Sequence, residues 1–361
     1  MKKIIIESHI PYVGDVFNGI AEAQFLPPEE ITPAAVKNAD ALIVRTRTRC
    51  NAELLDNSNV RFVATATIGT DHIDIPYCNS RGIEVVSAPG CNAPAVAQYV
   101  WASVISVLSL RKKLCGLTIG IVGLGHVGSI VAKWAKALGV KVLACDPPRQ
   151  LAHGGWDENE PLLAGDNPFV SLDEVARKSN IITIHTPHTT TGQFPTHHMV
   201  NSSFLNSLEK MPILINAARG PIFDTEAVFN AVIASQLSGC VVDCWEDEPS
   251  INRNFLTFVD IATPHIAGYS IQGKQRATAA VVAAALRFFG AEEALAALPP
   301  IIPSSDPKVD ISPEAILASY NPLADNAALR VAMAHASNPA DAAAAFERLR
   351  NTYPLRPELG F

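Results

Sequence analysis

Short runs of apolar, largely β-branched residues alternate along this chain with stretches whose apolar positions recur every three to four residues. Apolar runs bounded by turn residues suit strands buried on both faces, and strands alternating with helices argue for parallel sheets in an α/β architecture. The first set of strand candidates is Lys3–Glu7, Ala41–Arg45, Phe62–Ala64 and Ile83–Val86. Asn92-Ala93-Pro94 then reads as a helix start, with Asn92 as the cap and Pro94 in the first turn. Val96, Tyr99, Val100, Val104 and Val107 follow at helical spacing, in a helix long enough to cross between two domains. A second, denser set of strands is expected at Thr118–Val122, Val140–Cys145, Ile181–His185, Ile213–Asn216, Cys240–Asp243 and Ile261–Ala262. That is the layout of a doubly wound nucleotide-binding domain. Residues 150–168, rich in Gly, Pro and acids, read as a surface loop. A helix is expected over Ala279–Phe289, a break at Pro299–Pro303, and beyond it a separate unit with alanine-rich helices such as Asp341–Leu349.

Length and composition narrow this picture. A chain of 361 residues exceeds one ordinary core and suits two or three domains. Apolar residues make up 48% and charged ones 17%, so the chain is globular rather than disordered. The net charge of −7 provides no basic field for nucleic acid or an anionic membrane. No stretch reaches the roughly 18 apolar residues of a membrane span, and the amino-terminal apolar run is too short for a signal peptide. The seven cysteines include no C-x-x-C pair and read as buried, reduced thiols. A soluble, cytoplasmic protein without a metal is the expectation.

One segment is specific. In Gly120-Ile121-Val122-Gly123-Leu124-Gly125-His126-Val127-Gly128 the three glycines Gly123, Gly125 and Gly128 follow a predicted strand and open a helix bearing Val127, Ile130, Val131 and Trp134 on one face. Such glycines permit a tight turn and close backbone approach, so the N–H groups at the helix start can hold a pyrophosphate. Asp146 ends the next strand, where a carboxylate accepts bonds from ribose hydroxyls and repels a 2′-phosphate, favouring NAD over NADP. Arg149, three residues on, leaves the opposite preference open.

Three further segments follow strand ends, where active sites of open α/β sheets lie. Asn216-Ala217-Ala218-Arg219-Gly220 offers a guanidinium that grips a carboxylate through two bonds. Asp243-Cys244-Trp245-Glu246-Asp247-Glu248-Pro249 offers acids, and Thr263-Pro264-His265-Ile266-Ala267-Gly268 an imidazole. A carboxylate near His265 would stabilise its protonated form and fix its orientation. Hydride transfer at a carbinol carbon beside a carboxylate needs this set: a cation on the carboxylate, a group that exchanges the hydroxyl proton, and a partner that tunes it.

In this order the motifs resemble the D-isomer-specific 2-hydroxyacid dehydrogenases over roughly residues 40–275. The resemblance implies two doubly wound, Rossmann-like parallel-sheet domains with a cleft between them, plus a small C-terminal α+β dimerisation domain. Residues 1–105, completed by about 267–290, would bind substrate; 106–266 would bind NAD; 291–361 would pair two chains as a homodimer. It implies that Arg219 binds and polarises substrate, that His265 is the proton donor and acceptor, and that Glu248 is its paired acid. Gly123, Gly125, His126, Val127, Gly128, Asp146, Thr186, Ala217, Asp243 and Gly268 would meet the cofactor, Asp243 at the nicotinamide end. Segments around Arg45, Thr67, Asn92, Tyr269 and the tail Tyr353-Pro354-Leu355-Arg356-Pro357 are similar to the members that act on a small phosphorylated 2-hydroxy acid. There Arg45, Thr46, Thr67 and Tyr269 would contact substrate, while Arg47 and Arg49 read as solvated strand ends. His188, His197 and His198 fall outside these positions and read as loop residues. Two other readings stay open: a reductase of an unphosphorylated acid such as glyoxylate or hydroxypyruvate, and an NAD(H)-sensing binding protein.

Overall fold

The computed structural model describes residues 2–108, 114–152, 169–301 and 311–359. The chain divides into two compact units, one of Met1–Asn92 with Ser270–Ser304, the other of Ala93–Tyr269 with Ser305–Phe361.

In the smaller unit the strands are β1 (Lys2–Glu7), β2 (Ala21–Leu26), β3 (Ala41–Val44), β4 (Phe62–Thr65) and β5 (Glu84–Val86). They pair in parallel in the order β2-β1-β3-β4-β5. The apolar run of β3 is buried at every position because helices cover both faces. On one face Ile4, Ile43 and Phe62 pack against Val281 and Ala285 of the helix Ile271–Phe288. On the other, Leu42 and Val63 meet Leu55 and Cys78. The order reverses between β1 and β3, and at such a reversal open α/β sheets bind ligands beyond the carboxyl ends of their strands.

The larger unit holds β6 (Thr118–Val122), β7 (Lys141–Cys145), β8 (Ile181–Ile184), β9 (Ile213–Asn216), β10 (Gly239–Val242) and β11 (Ile261–Ala262). They form one parallel sheet in the order β11-β10-β9-β8-β6-β7. Phe169 bridges Ala144 of β7 in parallel. The helix Ala93–Val107 belongs to this unit and carries Trp101, whose indole donates to the Val131 carbonyl (3.2 Å) of the helix His126–Ala137.

Three points differ from the sequence expectations. The helix from Ala93 groups with the larger unit, whereas a boundary at 105 placed it with the smaller one. Asn92 is not a side-chain cap: its Oδ1 is buried with no hydrogen-bond partner. The described residues beyond 310 form helices Pro313–Ser319, Pro322–His335 and Pro339–Asn351, not an α+β unit standing apart. The reason is burial, since Leu329, Met333, Ala342 and Phe346 complete the same apolar cluster as Phe255 and Val259. Of the expected loop 150–168, residues 153–168 lie outside the described residues, as do 302 and 303 of the expected break.

Candidate active site

The glycine turn sits between β6 and its neighbours. Gly123 has φ +91°, and a Cβ there would lie 2.7 Å from the His185 carbonyl oxygen, so both conformation and space require glycine. At Gly128 a Cβ would stand 2.1 Å from the Gly123 oxygen, which keeps the helix His126–Ala137 close to the turn. Gly125, the N-cap, differs: a Cβ there would meet nothing within 4 Å. The space beside Gly125, at the start of that helix, is therefore open, and a helix start favours an anionic group.

Around that turn, Asp146 follows β7 and accepts from the N–H of Leu124 (2.8 Å) and of Arg149 (3.1 Å). The Arg149 guanidinium donates to the Leu124 carbonyl, so this cation is folded onto the turn. After β8, the Thr186 Oγ1 is buried and has no hydrogen-bond partner. An orphaned hydroxyl beside an open glycine turn is what a polar ligand satisfies.

Arg219, Asp243 and His265 all follow carboxyl ends of three adjacent strands, since Val242 of β10 pairs with Asn216 of β9 and with Ala262 of β11. The buried Asn216 ties the loops together, its amide donating to the carbonyls of Arg219 (3.0 Å) and Cys244 (3.4 Å). Gly220 packs so tightly on the next loop that a Cβ would fall 1.8 Å from the Trp245 oxygen. The Arg219 Nη1 donates to the Ala218 carbonyl (2.8 Å).

His265 Nδ1 and Glu248 Oε2 lie 2.8 Å apart, and Glu248 Oε1 accepts from the Trp245 N–H (2.7 Å). Burial works to raise the Glu248 carboxyl, but the His265 charge, these bonds and nearby Arg350 outweigh it and leave the carboxyl below its usual value. Glu248 is thus an anion held against the imidazole. Cys244 brings its Sγ into the same cluster, the three ligand atoms lying within 4.8 Å of one another, and burial pushes that thiol up so that it stays neutral.

Asp243 is 1% exposed. Its Oδ1 accepts from Thr263 Oγ1 (2.6 Å) and the Ile266 N–H (2.8 Å), and its Oδ2 from the Ala267 N–H (3.0 Å). Both oxygens thus hold the loop that carries His265. Burial raises its carboxyl, with His265 and these bonds acting the other way.

In the smaller unit Arg45, Thr46 and Thr67 lie at or just past the carboxyl ends of neighbouring strands, as Val44 of β3 pairs with Thr65 of β4. Arg45 donates through its backbone N–H to Glu7 (2.8 Å) and through Nη1 to the His9 carbonyl (3.3 Å). Thr67 Oγ1 is 2.7 Å from Thr65 Oγ1, and Thr46 is exposed.

Residues 96–267 match the D-isomer specific 2-hydroxyacid dehydrogenase, NAD binding domain. An erythronate-4-phosphate dehydrogenase of Bacteroides thetaiotaomicron is 44% identical to this chain over 99% of it and 97% of its own length. The chain belongs to the D-isomer specific 2-hydroxyacid dehydrogenase family. An erythronate-4-phosphate dehydrogenase of Marinobacter nauticus is 40% identical, over 98% of this chain and 92% of that protein. Among solved structures, the D-lactate dehydrogenase of Aquifex aeolicus complexed with NAD and lactic acid has the same fold, with a TM-score of 0.65 over 84% of this chain and 100% of that one at 24% identity.

The cofactor of this domain is NAD, and the residues fit it: a glycine turn with an open helix start, an acid at the end of β7, and a buried hydroxyl without a partner. Two cations escaped the sequence reading. Arg350 is held charged, burial opposing it and Tyr269, Glu248 and Glu347 prevailing. Arg356 touches the backbone of the His265 loop. The tail motif that contains Arg356 was visible, but it carried no chemical role. His198, read as a loop residue, stacks on His197 (ring centroids 4.0 Å) and lies 2.6 Å from Glu246 Oε1.

Proposed function

We propose that this chain oxidises 4-phospho-D-erythronate at C2 to 3-hydroxy-2-oxo-4-phosphobutanoate with NAD, a step of pyridoxal 5′-phosphate biosynthesis. The observation that carries the reading is near-full-length likeness to erythronate-4-phosphate dehydrogenases, and the Glu248–His265 pair is the chemistry such a reaction requires. Bound NAD supplies the acceptor of the C2 hydride.

The remaining work falls to the chain. Arg219 grips the substrate carboxylate and polarises the C2 oxygen, which favours the geometry in which the C–H bond breaks. With Nδ1 of His265 engaged by Glu248, Nε2 is left to take the hydroxyl proton. The Glu248 carboxylate balances the imidazolium that forms, so the proton leaves without an isolated positive charge. Arg45, Thr46, Thr67 and Tyr269 supply a cation and hydroxyl donors for the rest of the substrate, including its phosphate. The backbone of Ala217 and Gly268 lines the cofactor's path. The protein works in the cytoplasm, and its chains pair as homodimers through the C-terminal helices; none of the described helices is long and apolar enough to cross a membrane.

Turnover of 4-phosphoerythronate and of plain erythronate by the wild type and by Arg45→Ala tests the assignment. The phosphorylated acid should be strongly preferred, and Arg45→Ala should raise KM for it by about tenfold or more, as loss of a charge-assisted bond implies. Faster turnover of glyoxylate or hydroxypyruvate than of 4-phosphoerythronate would replace this reading with a reductase of unphosphorylated acids.

A further inference from the structure

His265 adopts φ 57°, in the left-handed region that side chains with a Cβ rarely occupy. Such a conformation persists only where the surroundings over-determine it. One side of the hold is Asp243. Its carbonyl oxygen accepts from the His265 N–H (2.9 Å), and its carboxylate accepts from the N–H groups of Ile266 and Ala267.

The other side comes from the C-terminal tail. Arg356, 7% exposed, donates to the carbonyls of Ile266 (3.0 Å), Tyr269 (3.2 Å) and Ala267. The same guanidinium reaches the Ala95 carbonyl (3.2 Å) and Gln98 Oε1 (3.3 Å), and lies over the Tyr320 ring with Cζ 4.2 Å from its centroid. Burying a cation is costly unless its donors are met. Here the donors are met largely by main-chain oxygens of one loop and one helix, so the fork is matched to the course of the backbone. A planar five-donor group can serve these acceptors together; a lysine cannot.

We propose that Arg356 is a positioning residue for proton transfer. The Asp243 carboxyl holds the N–H groups of the His265 loop, and a cation from the tail holds its carbonyls. Between them they fix the left-handed turn that sets Nδ1 of His265 against Glu248. The tail therefore belongs to the scaffold of the chemical centre, beyond any part its helices have in pairing two chains. The inference rests on the reading of His265 as the proton acceptor.

Arg356→Met and Arg356→Lys in the full chain test it, by hydrogen exchange of the segment 263–270 without substrate and by steady-state kinetics with 4-phosphoerythronate. Exchange at Ile266 and Ala267 should accelerate in Arg356→Met while β9 and β10 stay as in the wild type. The value of kcat should fall by about 10²-fold, the cost of displacing a reacting group by an ångström, with KM and NADH affinity changed by no more than about threefold. Arg356→Lys should lie between wild type and Arg356→Met in both readouts, and it carries the test alone if Arg356→Met does not fold. Unchanged loop exchange, or a kcat within a few-fold of wild type, overturns the proposal. The exchange readout needs no substrate, so a failure of the substrate assignment, seen as an inactive wild type, is told apart from a failure of the clamp.

Discussion

Two histidines that follow strands of the same sheet show how surroundings decide what an imidazole can do. His265 faces a carboxylate, with Glu248 Oε2 2.8 Å from its Nδ1. His185 faces Thr183 Oγ1 (3.0 Å), and burial pushes its pKa down to about 3. Its folded value lies below the ordinary 6.5, so the proton binds the unfolded chain first. Its contribution to stability is complete above about pH 6.5 and is lost as the pH falls from there through about 3. Urea unfolding of wild type and His185→Gln between those limits should therefore differ in pH slope, the wild type being steeper by about 1.4 kcal/mol per pH unit. Equal slopes would show that His185 is not held neutral. The placement of Arg219, Glu248 and His265 past strand ends was legible in the sequence, because each follows an apolar run that reads as a strand. Arg356 was not, because most of its partners are main-chain carbonyls, which leave no trace in side-chain pattern.

At the level of elements, strands were readable where burial on both faces demanded a continuous apolar run, as in Ile213–Asn216 and Ala41–Val44. The sheet-edge strand Ala21–Leu26 was missed, for its sequence AEAQFL alternates without such a run and leaves Phe25 47% exposed. The final helices were legible as helices, but their attachment was not, because Leu329 and Phe346 look the same in sequence whichever core they join. The turn–helix element around Gly128 was the most legible, since Gly123 and Gly128 answer to sterics. Gly128→Ala should force the helix away from the turn, lowering stability by about 1–3 kcal/mol and NADH affinity by about tenfold, by loss of the helix-start N–H groups. Thermal unfolding and NADH fluorescence titration check both; an alanine variant that binds NADH as tightly as wild type would mean that the turn does not hold the pyrophosphate.

For the molecule as a whole, the helix Pro322–His335 presents Leu323 (48% exposed) and Val331 (55% exposed) on one side, two turns apart. Exposed apolar side chains of this size suit a contact between copies of the chain. Sedimentation should give a dimer for the wild type and a shift toward monomer for Leu323→Asp/Val331→Asp; a monomeric wild type would remove the C-terminal helices from that role. Hydride transfer from C2 of the substrate, with His265 taking the hydroxyl proton, is open to an isotope test. 4-Phosphoerythronate deuterated at C2 is incubated with NAD and either wild type or His265→Asn, and the NADH formed is examined by mass spectrometry. The account predicts deuterium in the wild-type NADH and formation slower by about 10²–10⁴-fold in the variant; NADH without deuterium, or a His265→Asn rate within a few-fold of wild type, contradicts it.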